Sequence, residues 1–296
     1  KIVVIIPAYN EERFIGSVVL KTKRYADIVL VVDDGSTDGT SAVARAAGAE
    51  VIRHEQNQGK GAALNTGFRR ARELAPEVVV TLDGDGQHFP EELDLVIEPI
   101  LEKQADIVVG SRYLQKQCQV PQHRVWGHRF FNLVTNQLSG IAVTDSQSGF
   151  RAFSRQALDA ISLRSKSFSV ESEMQFLAND YHLRVHEVPI TIKYLDKPKR
   201  PVLSHGLVVL SGILRIIGQH RPLLYFGVPG IVLLLIGLIW GIQVIHIYDQ
   251  YQILPVGYAL VSGLLIMIGT LSFFAGLILH SVRGLLLDLL HPRQAP

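Results

Sequence analysis

Cysteine is almost absent from this 296-residue chain, Cys118 being the only one, which excludes an intrachain disulfide or a cysteine-built metal site and suits a reducing compartment. Net charge is small as well. With 29 Lys and Arg against 27 Asp and Glu, the formal balance is +2, too little to mark a nucleic-acid-binding surface. Charge of either sign vanishes from one long stretch: between residues 222 and 282 only Asp249 is charged. A Gly-x-x-x-x-Gly-Lys-Ser/Thr loop is also lacking. That argues against an ordinary ATPase, although Gly59-Lys60-Gly61 has the composition of a phosphate-binding turn. No internal repeat or low-complexity segment interrupts the chain.

The uncharged stretch holds two apolar runs, 223–245 and 256–279. A helix of about 23 residues spans roughly 35 Å, slightly more than the roughly 30 Å hydrocarbon core of a bilayer. Two tilted transmembrane helices within a module 222–296 are therefore expected, with a buried helical hairpin as the alternative. Residues 246–255 carry no Lys or Arg, whereas Arg215, Arg221, Arg283 and Arg293 flank the pair. The positive-inside rule then puts both ends of the hairpin, and the short tail after it, in the cytoplasm. The sequence opens on the strand-like KIVVIIP rather than on a charged, leader-like segment, so anchoring is expected to fall to the hairpin.

Ahead of the hairpin, residues 206–219 are mostly apolar, with Ser211, Arg215 and Gln219 recurring at i, i+4. That pattern predicts an amphipathic helix lying in the membrane interface over 201–221. Six Lys or Arg fall between residues 193 and 221 against Asp196 alone, a density suited to an anionic headgroup layer. The boundary with the preceding domain, 1–200, is expected at the Lys/Arg/Pro stretch 198–201.

Within that domain, β-branched runs at 2–6, 28–32, 50–53, 78–82 and 107–109 alternate with helical patterns at about 11–23, 38–47, 61–74 and 91–102. Such alternation predicts an α/β domain: a Rossmann-like, mostly parallel sheet with helices on both faces and ligands at the carboxyl ends of the strands. The informative residues follow the strands. Pro7-Ala8-Tyr9-Asn10-Glu11 comes after the first, Asp33-Asp34-Gly35-Ser36 after the second, and Asp83-Gly84-Asp85-Gly86-Gln87 after the fourth.

Two carboxylates on one turn, Asp83 and Asp85, with the Gln87 amide beside them, form a hard oxygen site for Mg²⁺ or Mn²⁺ that keeps open positions for a diphosphate. Asp33 and Asp34 suit the N–H groups and ribose hydroxyls of a nucleoside, Tyr9 can stack on a base, and Glu11 either caps a helix or contacts the sugar edge. Ser36 and Thr37 have an equally good reading as an N-cap for the helix expected near Asp38.

The motifs PAYNE, VDDGSTDGT, NQGKGAALNTG, DGDGQH, GSR and DSQSGFRAF, in that order over residues 7–153, resemble those of the family 2 inverting glycosyltransferases. More narrowly they resemble the dolichyl- or polyprenyl-phosphate mannose and glucose synthases. The resemblance implies a GT-A fold, a cytoplasmic active site, a divalent cation held by Asp83, Asp85 and Gln87, and a GDP- or UDP-hexose donor. It further implies transfer of one hexose to a polyprenyl or dolichyl phosphate lying in the bilayer. Such an acceptor, an anion drawn beside the nucleotide diphosphate, calls for arginine clamps, with Arg112, Arg124, Arg129 and Arg200 as candidates. The Gln-x-x-Arg-Trp motif of processive synthases is absent, Arg124-Val125-Trp126 being all that is present. Transfer to a lipid or protein hydroxyl, which needs a general base such as Asp145, Glu171 or Glu173, and a membrane scaffold without turnover, are the rival readings.

Overall fold

The computed structural model describes residues 1–114, 129, 132–133, 135–163, 170–193 and 222–290. The chain divides into two compact units, Lys1–Val209 and Leu210–Pro296.

In the first unit, β1 (Ile2–Ala8), α1 (Glu12–Thr22), β2 (Ile28–Asp33), α2 (Thr40–Ala46), β3 (Glu50–Arg53), α3 (Lys60–Glu73), β4 (Val78–Thr81), α4 (Leu93–Leu101, after a 3-10 turn at Pro90–Glu92) and β5 (Ile107–Ser111) alternate as the pattern predicts. The sequence pattern did not reveal β6 (Arg151–Ser154), α5 (Arg155–Ala160), α6 (Val170–Asp180) or β7 (Val185–Pro189). The strands form one sheet in the order β3-β2-β1-β4-β6-β5-β7. All pairs are parallel except those of β6, which runs antiparallel to both β4 and β5.

Both faces of the sheet are covered, so the central strands are apolar throughout and successive residues serve opposite cores. Val4 and Ile6 of β1 join Ile15, Val18 and Val96 on one face. Val3 and Ile5 join Leu64, Phe68, Phe153 and Met174 on the other. Gly67 lets α3 sit close to β1, since a Cβ there would stand 2.5 Å from Ile5 Cγ2.

The second unit is an antiparallel hairpin of α7 (Val228–Tyr251, entered by a wide π turn at Leu223–Gly227) and α8 (Val256–Leu290). Its helical stretches Leu223–Tyr251 and Val256–Val282, of 29 and 27 residues, are each long and apolar enough to cross a membrane. The helices extend beyond the apolar runs at their C-terminal ends. They meet backbone to backbone, for a Cβ on Gly269 would lie 2.5 Å from Leu234 N and one on Gly230 2.6 Å from Phe273 N. Ser262 Oγ donates across the pair to Gly237 O at 2.8 Å. Small residues and interhelical hydroxyl bonds are how helices associate without a hydrophobic driving force. The interfacial helix expected over 201–221 lies outside the described residues.

Candidate active site

The carboxyl ends of β1, β2 and β4 bring the three acidic loops to one edge, and the first two are laced together. Asn10 N donates to Ser36 Oγ and Thr37 N to Asn10 Oδ1, each at 2.9 Å. Glu11 N donates to Thr40 Oγ1 at 2.9 Å. Ser36 and Thr37 do not cap α2, which starts at Thr40 behind Gly39. Tyr9 is exposed, and Pro7 lines a small cleft with Lys60, Leu64, Thr81, Asp83, Gly149, Arg151 and Glu171.

Asp33 and Asp34, expected to face a nucleoside, are buried with their carboxylates engaged inside the protein. Asp33 accepts from Ser36 N at 2.9 Å and from the Ser41 hydroxyl. Asp34 gathers the loop ahead of α3: Gln58 N donates to Oδ1 at 2.9 Å and Gly59 N to Oδ2 at 2.7 Å, while His54 Nδ1 lies 2.8 Å from Oδ1. The left-handed backbone of Gly35 (φ 73°) permits this approach, since a Cβ there would stand 2.6 Å from the Gln56 carbonyl carbon.

The loop so held delivers Lys60, the first residue of α3, into the cleft. Its Nζ is 2.6 Å from Asp83 Oδ1 and 2.7 Å from Glu171 Oε1. Burial would raise the Asp83 carboxyl, but the Lys60 ammonium overrides it and holds Asp83 well below the usual carboxylate range. Arg151 closes the floor. Buried on β6, it donates to the carbonyls of Ser148 (2.9 Å), Glu171 (3.0 Å) and Ser146 (2.8 Å), and burial pushes its guanidinium below its usual range. It thereby ties the loop 145–149 and the start of α6 to the sheet, and sets Gly149 against Asp83.

Asp85 accepts from Gln87 N at 3.1 Å and Gln87 Nε2 at 2.8 Å, which leaves the carbonyl oxygen as the atom Gln87 offers a cation. Burial and the neighbouring Asp83 charge raise the Asp85 carboxyl, as two close carboxylates require. Two carboxylates and an amide oxygen on one turn fit Mg²⁺ or Mn²⁺. Among the described residues no three His, Cys, Asp or Glu side chains converge. A cation there would complete its shell with water and phosphate oxygens. His88 is buried beside the turn, its Nε2 3.8 Å from Asp83 Oδ2 and its ring edge-on to Phe150 at 5.5 Å.

Of the arginines, Arg112 follows β5 and its Nε donates to Asp145 Oδ2 at 2.5 Å. Arg129 is exposed, and Arg124 and Arg200 lie outside the described residues. Glu171, a candidate base in the sequence, is here the second partner of Lys60. Gly149, Arg151 and His54 carry no local sequence signal of their roles, which depend on contacts between distant segments.

This fold and this edge of acidic loops define a glycosyltransferase of the GT-A type. Residues 3–162 match the model of glycosyl transferase family 2, and the chain belongs to that family. It is 38% identical over 218 residues to the UDP-N-acetylglucosamine–dolichyl-phosphate N-acetylglucosaminyltransferase of Methanococcus voltae, covering 66% of this chain and 86% of that protein. It is 35% identical over 206 residues to the undecaprenyl-phosphate mannosyltransferase of Micrococcus luteus, covering 64% and 83%. Among solved structures it is similar to glucosyl-3-phosphoglycerate synthase from Mycobacterium tuberculosis in complex with Mn²⁺, UDP and product. That match has a TM-score of 0.59 and 24% identity over 74% of this chain and 80% of that one, a likeness of fold.

Proposed function

We propose that this protein transfers one hexose from a nucleotide-sugar to a polyprenyl or dolichyl phosphate at the cytoplasmic face of a membrane, with inversion at the anomeric carbon. The carrying observation is that, of the three candidate bases, Asp145 and Glu171 are each already paired with a cation, Arg112 at 2.5 Å and Lys60 at 2.7 Å, and Glu173 on α6 is engaged within the protein as well. A hydroxyl acceptor needs an unengaged base within reach of its proton, whereas a phosphate oxygen is ionised at neutral pH and needs none. The two named relatives act on lipid phosphates, and the apolar hairpin suits an acceptor that stays in the bilayer.

Asp83, Asp85 and Gln87 would hold Mg²⁺ or Mn²⁺, which supplies charge neutralisation for the departing nucleoside diphosphate. Lys60 adds a fixed positive charge beside that diphosphate. Pro7, Tyr9, Glu11, Asp33 and Asp34 form the nucleoside side of the edge, either by direct contact or, for the two aspartates, by building its loops. Arg112, Arg124, Arg129 and Arg200 are the candidates for holding the acceptor phosphate in line with the anomeric carbon. GDP-mannose and UDP-glucose are the leading donors, and UDP-N-acetylglucosamine joins them on the Methanococcus relative.

The test is a donor screen with purified protein in detergent, offering polyprenyl phosphate or the unphosphorylated polyprenol and following both nucleoside diphosphate release and the lipid product. Glycosylation of the phosphate alone is expected. Transfer to polyprenol at a comparable rate would move the hydroxyl reading ahead.

A further inference from the structure

The ammonium of Lys60 stands between two carboxylates, Asp83 at 2.6 Å and Glu171 at 2.7 Å, and one of these is also a ligand expected to hold a divalent cation. Lys60 occupies Oδ1 of Asp83, while Oδ2 lies against Gly149 with His88 Nε2 3.8 Å away. A divalent cation taken by this carboxylate therefore either displaces the ammonium from Oδ1 or sits on Oδ2 close beside it, and two positive centres so close repel in a partly desolvated cleft. Glu171 makes the displacement feasible: its side chain is 7% exposed against 29% for Asp83, so Lys60 released from Asp83 keeps a buried counter-charge. Lys60 is also fixed at its base, because Asp34 holds the preceding Gln58 and Gly59 amides. Its freedom lies in the side chain alone.

We propose that Lys60 is the resident counter-cation of Asp83. It neutralises that carboxylate until a divalent cation and a nucleoside diphosphate arrive together, and then turns to the diphosphate while Glu171 retains it. This rests on the metal assignment in the preceding reading, but not on the identity of the acceptor. In consequence the cation alone binds weakly, and the site closes on the pair rather than on either component. Lys60 is thus a positioning residue that guards the metal ligand and a partner for the donor's charge.

The experiment is titration of the full-length protein with Mn²⁺, followed by the loss of the free-ion electron paramagnetic resonance signal, with and without UDP or GDP. Relative to wild type, Lys60→Met is expected to bind Mn²⁺ alone about tenfold more tightly, the scale of one removed hydrogen bond to a charged group. It should also bind the nucleotide more weakly in the presence of Mn²⁺. Lys60→Arg, which keeps the charge and guards against a folding defect, is expected to stay near wild type for Mn²⁺ alone. Unchanged or weaker Mn²⁺ binding by folded Lys60→Met would overturn the proposal. Absence of Mn²⁺ binding by wild type and variant alike, with nucleotide present, would overturn it together with the metal assignment. Transfer to a hydroxyl instead of a phosphate would sink only the acceptor reading.

Discussion

Gly149 lies so close to Asp83 that a Cβ on it would stand 2.5 Å from Oδ2 and 2.9 Å from Cγ. No side chain fits there while the carboxylate keeps its place between Lys60 and the turn. Gly149→Ala is therefore expected to push Asp83 out of position, lowering both Mn²⁺ affinity and transfer rate by roughly tenfold or more, at an overpacking cost of about 1–3 kcal/mol. Initial-rate assays paired with metal titration check it. Loss of stability with unchanged metal affinity would show that Asp83 is not the group displaced.

Asp83→Ala and Asp85→Ala remove carboxylates from a turn rather than core side chains, so both are expected to abolish transfer with the fold retained. Chelation by EDTA should have the same effect, reversed by added Mg²⁺ or Mn²⁺. Circular dichroism and product formation are the paired readouts. Substantial turnover by either variant without added metal would contradict the assignment of the ligands.

Asp34 fastens the loop ahead of α3 through the amides of Gln58 and Gly59 and through His54. Asp34→Ala leaves those part-buried groups without their acceptor, at a cost of about 1–2 kcal/mol. Thermal stability and nucleotide affinity are expected to fall together. A variant with wild-type stability and weakened nucleotide binding would instead mark Asp34 as a direct nucleoside contact.

At the far edge of the sheet, Asp106 accepts from Arg184 N and Nε at 2.9 Å and from Nη2 at 3.0 Å. The Arg184 side-chain bond holds its carboxyl below the ordinary value. A depressed folded-state pKa means stabilisation that is present above the unfolded value, about 3.9, and lost as pH falls through the folded one. Arg184 is 57% exposed, so solvent screening keeps the contribution of the pair small. Asp106→Asn is expected to be less stable than wild type at pH 7, and the gap should narrow below about pH 4. Urea unfolding at the two pH values measures it.

In the hairpin, Gly269→Val places a branched side chain against the Leu234 backbone, and the helices must part. The detergent-solubilised protein is expected to lose about 2 kcal/mol or more of stability. Nucleotide affinity, measured by calorimetry, is expected to stay within about twofold, as for substitutions that share no partners with the site.

The parallel half of the sheet was legible because IVVII, IVLVV and VVVT are continuous apolar runs, which only a strand buried on both faces requires. RAFS and VHEVP carry no such signal. In β6, Arg151 is buried on the strength of bonds to three carbonyls, and β7 is a partly exposed edge strand. In the site, Asp83, Asp85 and Gln87 could be read because one turn holds them. The pairing of Lys60 with Glu171, and the contact of Gly149 with Asp83, depend on how β6 and α6 return to the sheet. Local sequence carries no record of that return, and Arg124 and Arg200, outside the described residues, remain expectations from the sequence.

The antiparallel insertion of β6 between β4 and β5 also sets a timetable. A ribosome releases Lys60 and Asp83 long before Arg151 and Glu171, and β5 waits beside an unfilled gap in the sheet until β6 arrives. A nascent chain thus has the acidic loops after β1, β2 and β4 early. It cannot assemble the finished cleft until the second half of the domain has emerged and threaded back.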